Sequence, residues 1–185
     1  MYEEQEDSMS SLKEIQALQL QSEKVFDYFE EICAIPHGSR NTKAISDYLV
    51  AFAKKHDLTW YQDESNNVVI VQEATAGYEQ ADTIILQGHM DMVCEKANGC
   101  AIDFEKDGLD LYVDGDFLKA RGTTLGGDDG IAVAYALAIM DSPEIAHPRL
   151  EVVITVDEEI GMLGAEAIDL SMLKGHKLLN IDSDV

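Results

Sequence analysis

Basic residues are scarce in this sequence: 13 Lys and Arg stand against 36 Asp and Glu, a formal net charge of −23. Nucleic acid and anionic membrane surfaces both require cationic side chains to neutralise phosphate, so neither is expected as a partner. Long apolar runs are missing too. The richest, IAVAYALAIM over 131–140, is only about half of the ~20 residues that a membrane span needs. The opening MYEEQEDSMS lacks the basic start and apolar stretch of a secretion signal, and reads as part of an acidic tail and lead-in over 1–21. Cysteine is limited to Cys33, Cys94 and Cys100. The number is odd and no pair has CxxC spacing, which points to free thiols in a reducing, cytoplasmic setting. There is no internal repeat and no low-complexity linker.

What remains is a chain of 185 residues that is 46% hydrophobic, enough for one domain with a sizeable core over 22–185. Helical periodicity runs over 22–33, with Val25, Phe26, Phe29 and Ile32 on one stripe, and again to about residue 55, with Ile45, Tyr48, Leu49 and Phe52 inward. Ser39 and Asn41 are candidate caps for the second helix. The PHGSRN segment between the helices is a turn, and His37 in it suits a loop or hydrogen-bonding role. Strands follow at LTWYQD, NNVVIVQEA and DTIILQGH, the last apolar enough to be buried on both faces. GLDLYVDGDFLKARG reads as a hairpin turning at Asp114-Gly115. LGGDDG opens a helix over 131–140, RLEVVITVDEEIG is another buried strand, AIDLSMLKG a short helix and HKLLNIDSD a last strand. Strands alternating with helices predict an α/β fold with a mostly parallel or mixed central sheet flanked by helices.

Three of the apolar strands end in metal-capable side chains: His89 and Asp91, then Glu158 and Glu159, then Asp182 and Asp184. Asp128 and Asp129 stand at the start of the central helix. Ligands of open α/β sheets bind beyond the carboxyl ends of the strands. One imidazole among several carboxylates suits Zn²⁺, or Mn²⁺ or Co²⁺, better than Ca²⁺. Two ions about 3.5–4 Å apart need a bridging carboxylate, and Asp128, flanked by glycine, has room to approach both. Asp91 is spaced to orient the imidazole of His89 through its second nitrogen. Adjacent residues of an extended chain face opposite ways, so one of Glu158 and Glu159 can ligate while the other serves as general base. Asp182 could ligate the second ion. Each motif alone has an ordinary reading, as a helix cap, an acidic turn or a solvated strand end. Their order along the chain favours a metal centre.

The segments GHMDMV, ARGTTLGGDDGIAVA, TVDEEIGMLGA and LLNIDSD, in this order and spacing, resemble the co-catalytic zinc metallopeptidases of the aminoacylase and carboxypeptidase type. KARGTTLG and EEIGMLGA resemble the aminoacyl-histidine (Xaa-His) dipeptidase branch in particular. The resemblance runs from about residue 22 to 185. It implies that His89 and Asp182 hold one zinc, Glu159 the other, and Asp128 both. Glu158 would be the general base, Asp91 would clamp His89, and the Asp128–Asp129 peptide would be cis. The family often has asparagine where Asp129 stands. The implied reaction is hydrolysis of unblocked, carnosine-like dipeptides by water activated between the two ions. The resemblance also implies longer members, whose lid domain and carboxyl-terminal segment supply a further histidine ligand and the grip on the substrate carboxylate, and which form homodimers. The chain is therefore expected to be the first part of a split catalytic domain, with weak activity or none by itself. The alternatives are an inactive metal-binding remnant, or a related tripeptidase or amidohydrolase.

Overall fold

The computed structural model describes residues 23–182; the acidic lead-in and Asp184 lie outside them. Helix α1 (Glu23–Cys33) buries Val25, Tyr28, Phe29 and Ile32, and α2 (Lys43–Lys55) buries Ile45, Leu49 and Phe52. The three- and four-residue spacing gives each helix one apolar stripe. Phe26, expected on that stripe, is only half-buried, and Tyr28 takes its place in the core. α2 starts later than Ser39 or Asn41 would have it. Thr42 precedes its first turn and makes no side-chain cap bond.

Strands β1 (Thr59–Gln62), β2 (Val68–Gln72) and β3 (Ile84–His89) come next, then the hairpin of β4 (Leu111–Asp114) and β5 (Phe117–Ala120). Helix α3 (Gly127–Met140), β6 (Leu150–Thr155), the short α4 (Leu163–Ala167) and β7 (Lys177–Asn180) complete the described residues. The main sheet has the order β1-β2-β6-β3-β7. β3 runs parallel to both β6 and β7, whereas β2 is antiparallel to β6 and β1 to β2. The sheet is therefore mixed, with a parallel group of three strands ending at one edge.

The principal core lies between this sheet and the three long helices. Val68, Ile70, Val152 and Ile154 face Ile32, Leu49 and Leu137, all at most 1% exposed. Cutting any one of the isoleucines or leucines among these back to alanine would cost about 2–5 kcal/mol. A smaller cluster of Val69, Val71, Ile85 and Val153 covers the opposite face. Inside β6 sits a fully buried carboxylate, Glu151. It accepts hydrogen bonds from the backbone N–H groups of Lys174 and Gly175 and from Arg149 Nε, each at 3.0 Å. The strand leading into the site and the loop before β7 are tied together there.

Three elements differ from expectation. β3, expected to be buried on both faces, is half-buried at Ile84, Leu86 and Gln87. The hairpin pairs Asp114 with Phe117, so its two-residue turn is Gly115-Asp116, one position later than read. The short helix falls on Leu163–Ala167, because Met162, in the left-handed region at φ 58°, starts it there. Among the described residues the last strand, β7, lies at the sheet edge beside β3, with Leu178 60% and Leu179 53% exposed.

Candidate metal centre

Because β3, β6 and β7 are parallel, the segments that follow them emerge at one sheet edge. His89 closes β3, Glu158 and Glu159 follow β6, and Asp182 follows β7. Asp128 reaches the same place from the first turn of α3. That turn is irregular: Asp128 and Asp129 have non-helical backbone angles, and the peptide between them is cis. The ligand atoms of His89, Glu158 and Asp182 lie within 4.8 Å of one another, and so do those of His89, Asp128 and Glu159. The carboxylates expected as metal ligands or general base, Asp128, Glu158, Glu159 and Asp182, are thus gathered around one imidazole.

The imidazole is held on every side. His89 is 1% exposed. Its Nδ1 lies 2.9 Å from the backbone carbonyl of Asp91 and 3.4 Å from Asp91 Oδ1. The nearer acceptor is therefore the main chain, with the carboxylate, expected from spacing alone, as the second. With Nδ1–H so engaged, Nε2 faces the acids, 3.2 Å from Asp128 Oδ1 and 3.8 Å from Glu158 Oε2. The His89 N–H donates to Asp129 Oδ2 at 3.2 Å.

Glu158 and Glu159 do not alternate as strand residues. β6 stops at Thr155, and Asp157 takes a left-handed conformation, φ 54°, so the pair sits in a turn with both side chains brought near His89. Asp91 Oδ1 accepts the Glu158 N–H at 3.1 Å, which fixes where that turn begins.

Crowding marks the electrostatics. Burial works against a charge on His89, but the Asp91 and Asp129 carboxylates outweigh it and hold the imidazole pKa up at about 9. Burial pushes Asp129 up to about 7, opposed by His89 and reinforced by Asp182 and Asp128. Glu158 and Glu159 are both raised, first by burial and then, against the pull of His89, by neighbouring carboxylates. A cluster in which like charges hinder one another's ionisation, around an imidazole whose second nitrogen points into it, suits a divalent cation. The donors present therefore fit the ions that the resemblance implies.

The sequence profile of peptidase family M20/M25/M40 matches residues 85–183, the stretch that contains every one of these side chains. The chain belongs to peptidase family M20/M25/M40. It is 41% identical over 166 residues to the cytosol non-specific dipeptidase of Escherichia coli strain K12, over 90% of this chain and 34% of that one. It superposes on the crystal structure of aminoacylhistidine dipeptidase from Vibrio alginolyticus with a TM-score of 0.86 and 41% identity, covering 89% of this chain and 34% of that one. A tripeptidase from Staphylococcus aureus shares the fold, with a TM-score of 0.72 at 23% identity over 88% of this chain and 43% of that one. The chain spans about a third of the length of the two dipeptidase relatives.

Some participants in this M20 site carry no local signal. Ser39, read only as a candidate helix cap, donates to Asp91 Oδ2 at 2.8 Å, and the Arg40 N–H donates to Asp157 Oδ1 at 2.6 Å. These partners are 52 and 117 residues apart, beyond the reach of any periodicity.

Proposed function

We propose that residues 22–185 form the first part of a split dipeptidase catalytic domain that hydrolyses small unblocked peptides of the Xaa-His, carnosine-like class with two divalent ions. The observation that carries this reading is the gathering of one imidazole and four carboxylates from three strand ends and a helix start. Zn²⁺ suits that donor set, with Mn²⁺ and Co²⁺ as alternatives. His89 and Asp182 would hold one ion, Glu159 the other, and Asp128 both. Bound ions would polarise the scissile carbonyl and make water acidic enough to lose a proton near neutral pH.

The chain's own residues do the rest. Asp91 holds the proton on His89 Nδ1 and so keeps Nε2 available as a ligand atom. Glu158 is half-buried, and its raised pKa brings it toward the range of a working general base. Its carboxylate takes a proton from the attacking water and passes it to the departing amine. Cavities of about 280 Å³ beside Glu158 and Asp182 and about 330 Å³ beside Ser39 and Glu159 leave room for a residue on either side of the bond. A cytosolic setting is supported by the name of the E. coli relative and by three cysteines free of disulfides. Homodimerisation belongs to the same proposal for a polypeptide of the relatives' length.

Zinc titration and hydrolysis of a carnosine-like dipeptide, measured on Glu158→Gln and Glu159→Gln, test the assignment. Glu158→Gln should keep zinc affinity while any hydrolysis falls by about 10²–10⁴; Glu159→Gln should weaken zinc binding. Loss of zinc from Glu158→Gln as severe as from His89→Ala would make Glu158 a ligand and remove it as the base.

A further inference from the structure

The loop between α1 and α2 has no part in the reaction as described, yet it touches the site twice. Its course is set by close backbone contact. Gly38 and Met92 form a parallel bridge, and the Met92 N–H donates to the His37 carbonyl at 3.2 Å. A Cβ on Gly38 would fall 2.5 Å from Cys94 Sγ, so a larger residue there would have to displace the Cys94 thiol. The next residue, Ser39, is thereby delivered to Asp91, and its hydroxyl donates to Oδ2 at 2.8 Å. One residue later, the Arg40 N–H reaches Asp157 Oδ1. Arg40 and Asp157 both hold left-handed backbone angles, φ 68° and 54°, so the contact joins two shaped turns.

Asp91 is 1% exposed, and its two oxygens have different tasks. Oδ1 faces His89 Nδ1 and the Glu158 N–H; Oδ2 has the Ser39 hydroxyl. A carboxylate with a single donor on one oxygen can swing about its terminal torsion when that donor is removed. The swing would move Oδ1 away from the imidazole and release the start of the Glu158 turn.

We propose that Ser39 is a positioning residue of the metal centre: its hydroxyl fixes the Asp91 carboxylate, and through it both the imidazole of His89 and the turn bearing Glu158. The inference rests on the metal-centre reading above. Losing the direct partner of a ligating histidine typically weakens metal binding 10- to 100-fold, and Ser39 acts one contact further out, through Asp91.

The test measures Zn²⁺ affinity by competition with a chromophoric chelator, alongside thermal melting of the metal-free protein. Ser39→Ala should bind zinc more weakly, by up to the 10- to 100-fold expected for losing Asp91 itself, with metal-free melting lowered only by the cost of one unsatisfied buried acceptor, and Ser39→Thr, which keeps the hydroxyl, should bind close to wild type. In an Asp91→Asn background, Ser39→Ala should add little further loss. If Ser39→Ala does not fold, Ser39→Cys, with its weaker donor, should show the loss in reduced form. Wild-type zinc affinity in Ser39→Ala or Ser39→Cys, while His89→Ala has lost zinc, overturns the positioning role and leaves the metal centre standing. So do fully additive losses with Asp91→Asn. Wild-type zinc affinity in His89→Ala overturns the metal-centre reading and this inference with it.

Discussion

Gly88→Ala tests how closely β3 must approach α3 for the site to form. Gly88 precedes His89, and a Cβ there would fall 2.7 Å from Asp129 Oδ2 and 3.0 Å from Ala132 Cβ. Asp129 cannot yield into solvent, since it is 1% exposed and its Oδ2 accepts the His89 N–H. Either the carboxylate leaves that hydrogen bond, carrying Asp128 with it, or α3 moves off the sheet. Inserting one methyl into such a contact costs about 1–3 kcal/mol. Borne entirely by the metal site, that is roughly a 5- to 150-fold loss of zinc affinity at 1.4 kcal/mol per decade. Borne by the metal-free fold, it lowers the melting temperature by about 2–4 °C per kcal/mol for a chain of this size. Zinc competition and thermal melting of the metal-free variant together capture both routes. An unchanged melting temperature with unchanged zinc affinity would refute the claim that the Gly88–Asp129 contact shapes the site.

Glu151→Ala should destabilise the fold in urea titration by about 1–3 kcal/mol for each of the two backbone N–H groups it strands, Arg149 keeping its pairing with Glu73; a loss under 1 kcal/mol would contradict the role given to that carboxylate. Burial would raise the Glu151 pKa, but those donors outweigh it and hold it below the usual range, so its contribution is present above the ordinary glutamate pKa and fades as pH falls through the depressed value. Urea titrations of wild type and Glu151→Ala should accordingly converge in acid. The reverse sign applies to His89 in the metal-free protein: with its pKa raised to about 9, its charged form stabilises below the ordinary histidine value, and that stability is lost as pH rises through about 9. Zinc must displace this proton, so calorimetry near pH 7.5 in buffers of different ionisation enthalpy should register close to one proton released by His89 on binding, and no pH dependence of affinity between 7 and 9 would count against His89 as a ligand.

Where the sequence was legible, the signal was local and repeated. The apolar run of β6 declares a buried strand, that of β3 one that proves only half-buried at Ile84, Leu86 and Gln87, and the polar residues that end them declare a sheet edge. The α1 and α2 stripes follow helical spacing. What escaped depends on partners far along the chain or on where an element stops. Glu158 and Glu159 looked like strand residues facing apart, but the left-handed Asp157 ends the extended run before them. β7 is as apolar in its Leu178-Leu179 pair as a central strand, and nothing in its composition marks it as an edge. Asp91 was expected to hold His89 by its side chain alone; the closer contact is its main-chain carbonyl, which every residue type possesses and no sequence pattern can flag. Ser39 fits a helix cap by type, and only the Gly38–Met92 bridge takes it to Asp91 instead.

The site has two unlike walls. One is made of buried groups with several fixed contacts: His89, Asp91 and Asp129, each about 1% exposed, joined to one another and to Ser39 and the Glu158 N–H. The other is made of the half-buried or exposed carboxylates Asp128, Glu158, Glu159 and Asp182. A centre that fixes an imbedded imidazole and, on the proposed function, admits a peptide would need that asymmetry. Rigidity on the histidine side sets where Nε2 points without help from a ligand. Openness on the carboxylate side leaves those oxygens reachable from solvent, where, on the function proposed above, cations would offset their mutual repulsion and a substrate would approach Glu158. The parallel arrangement of β3, β6 and β7 provides both: the adjoining ends of β3 and β6 anchor the rigid wall, and the exposed edge strand β7 carries Asp182 into the open one.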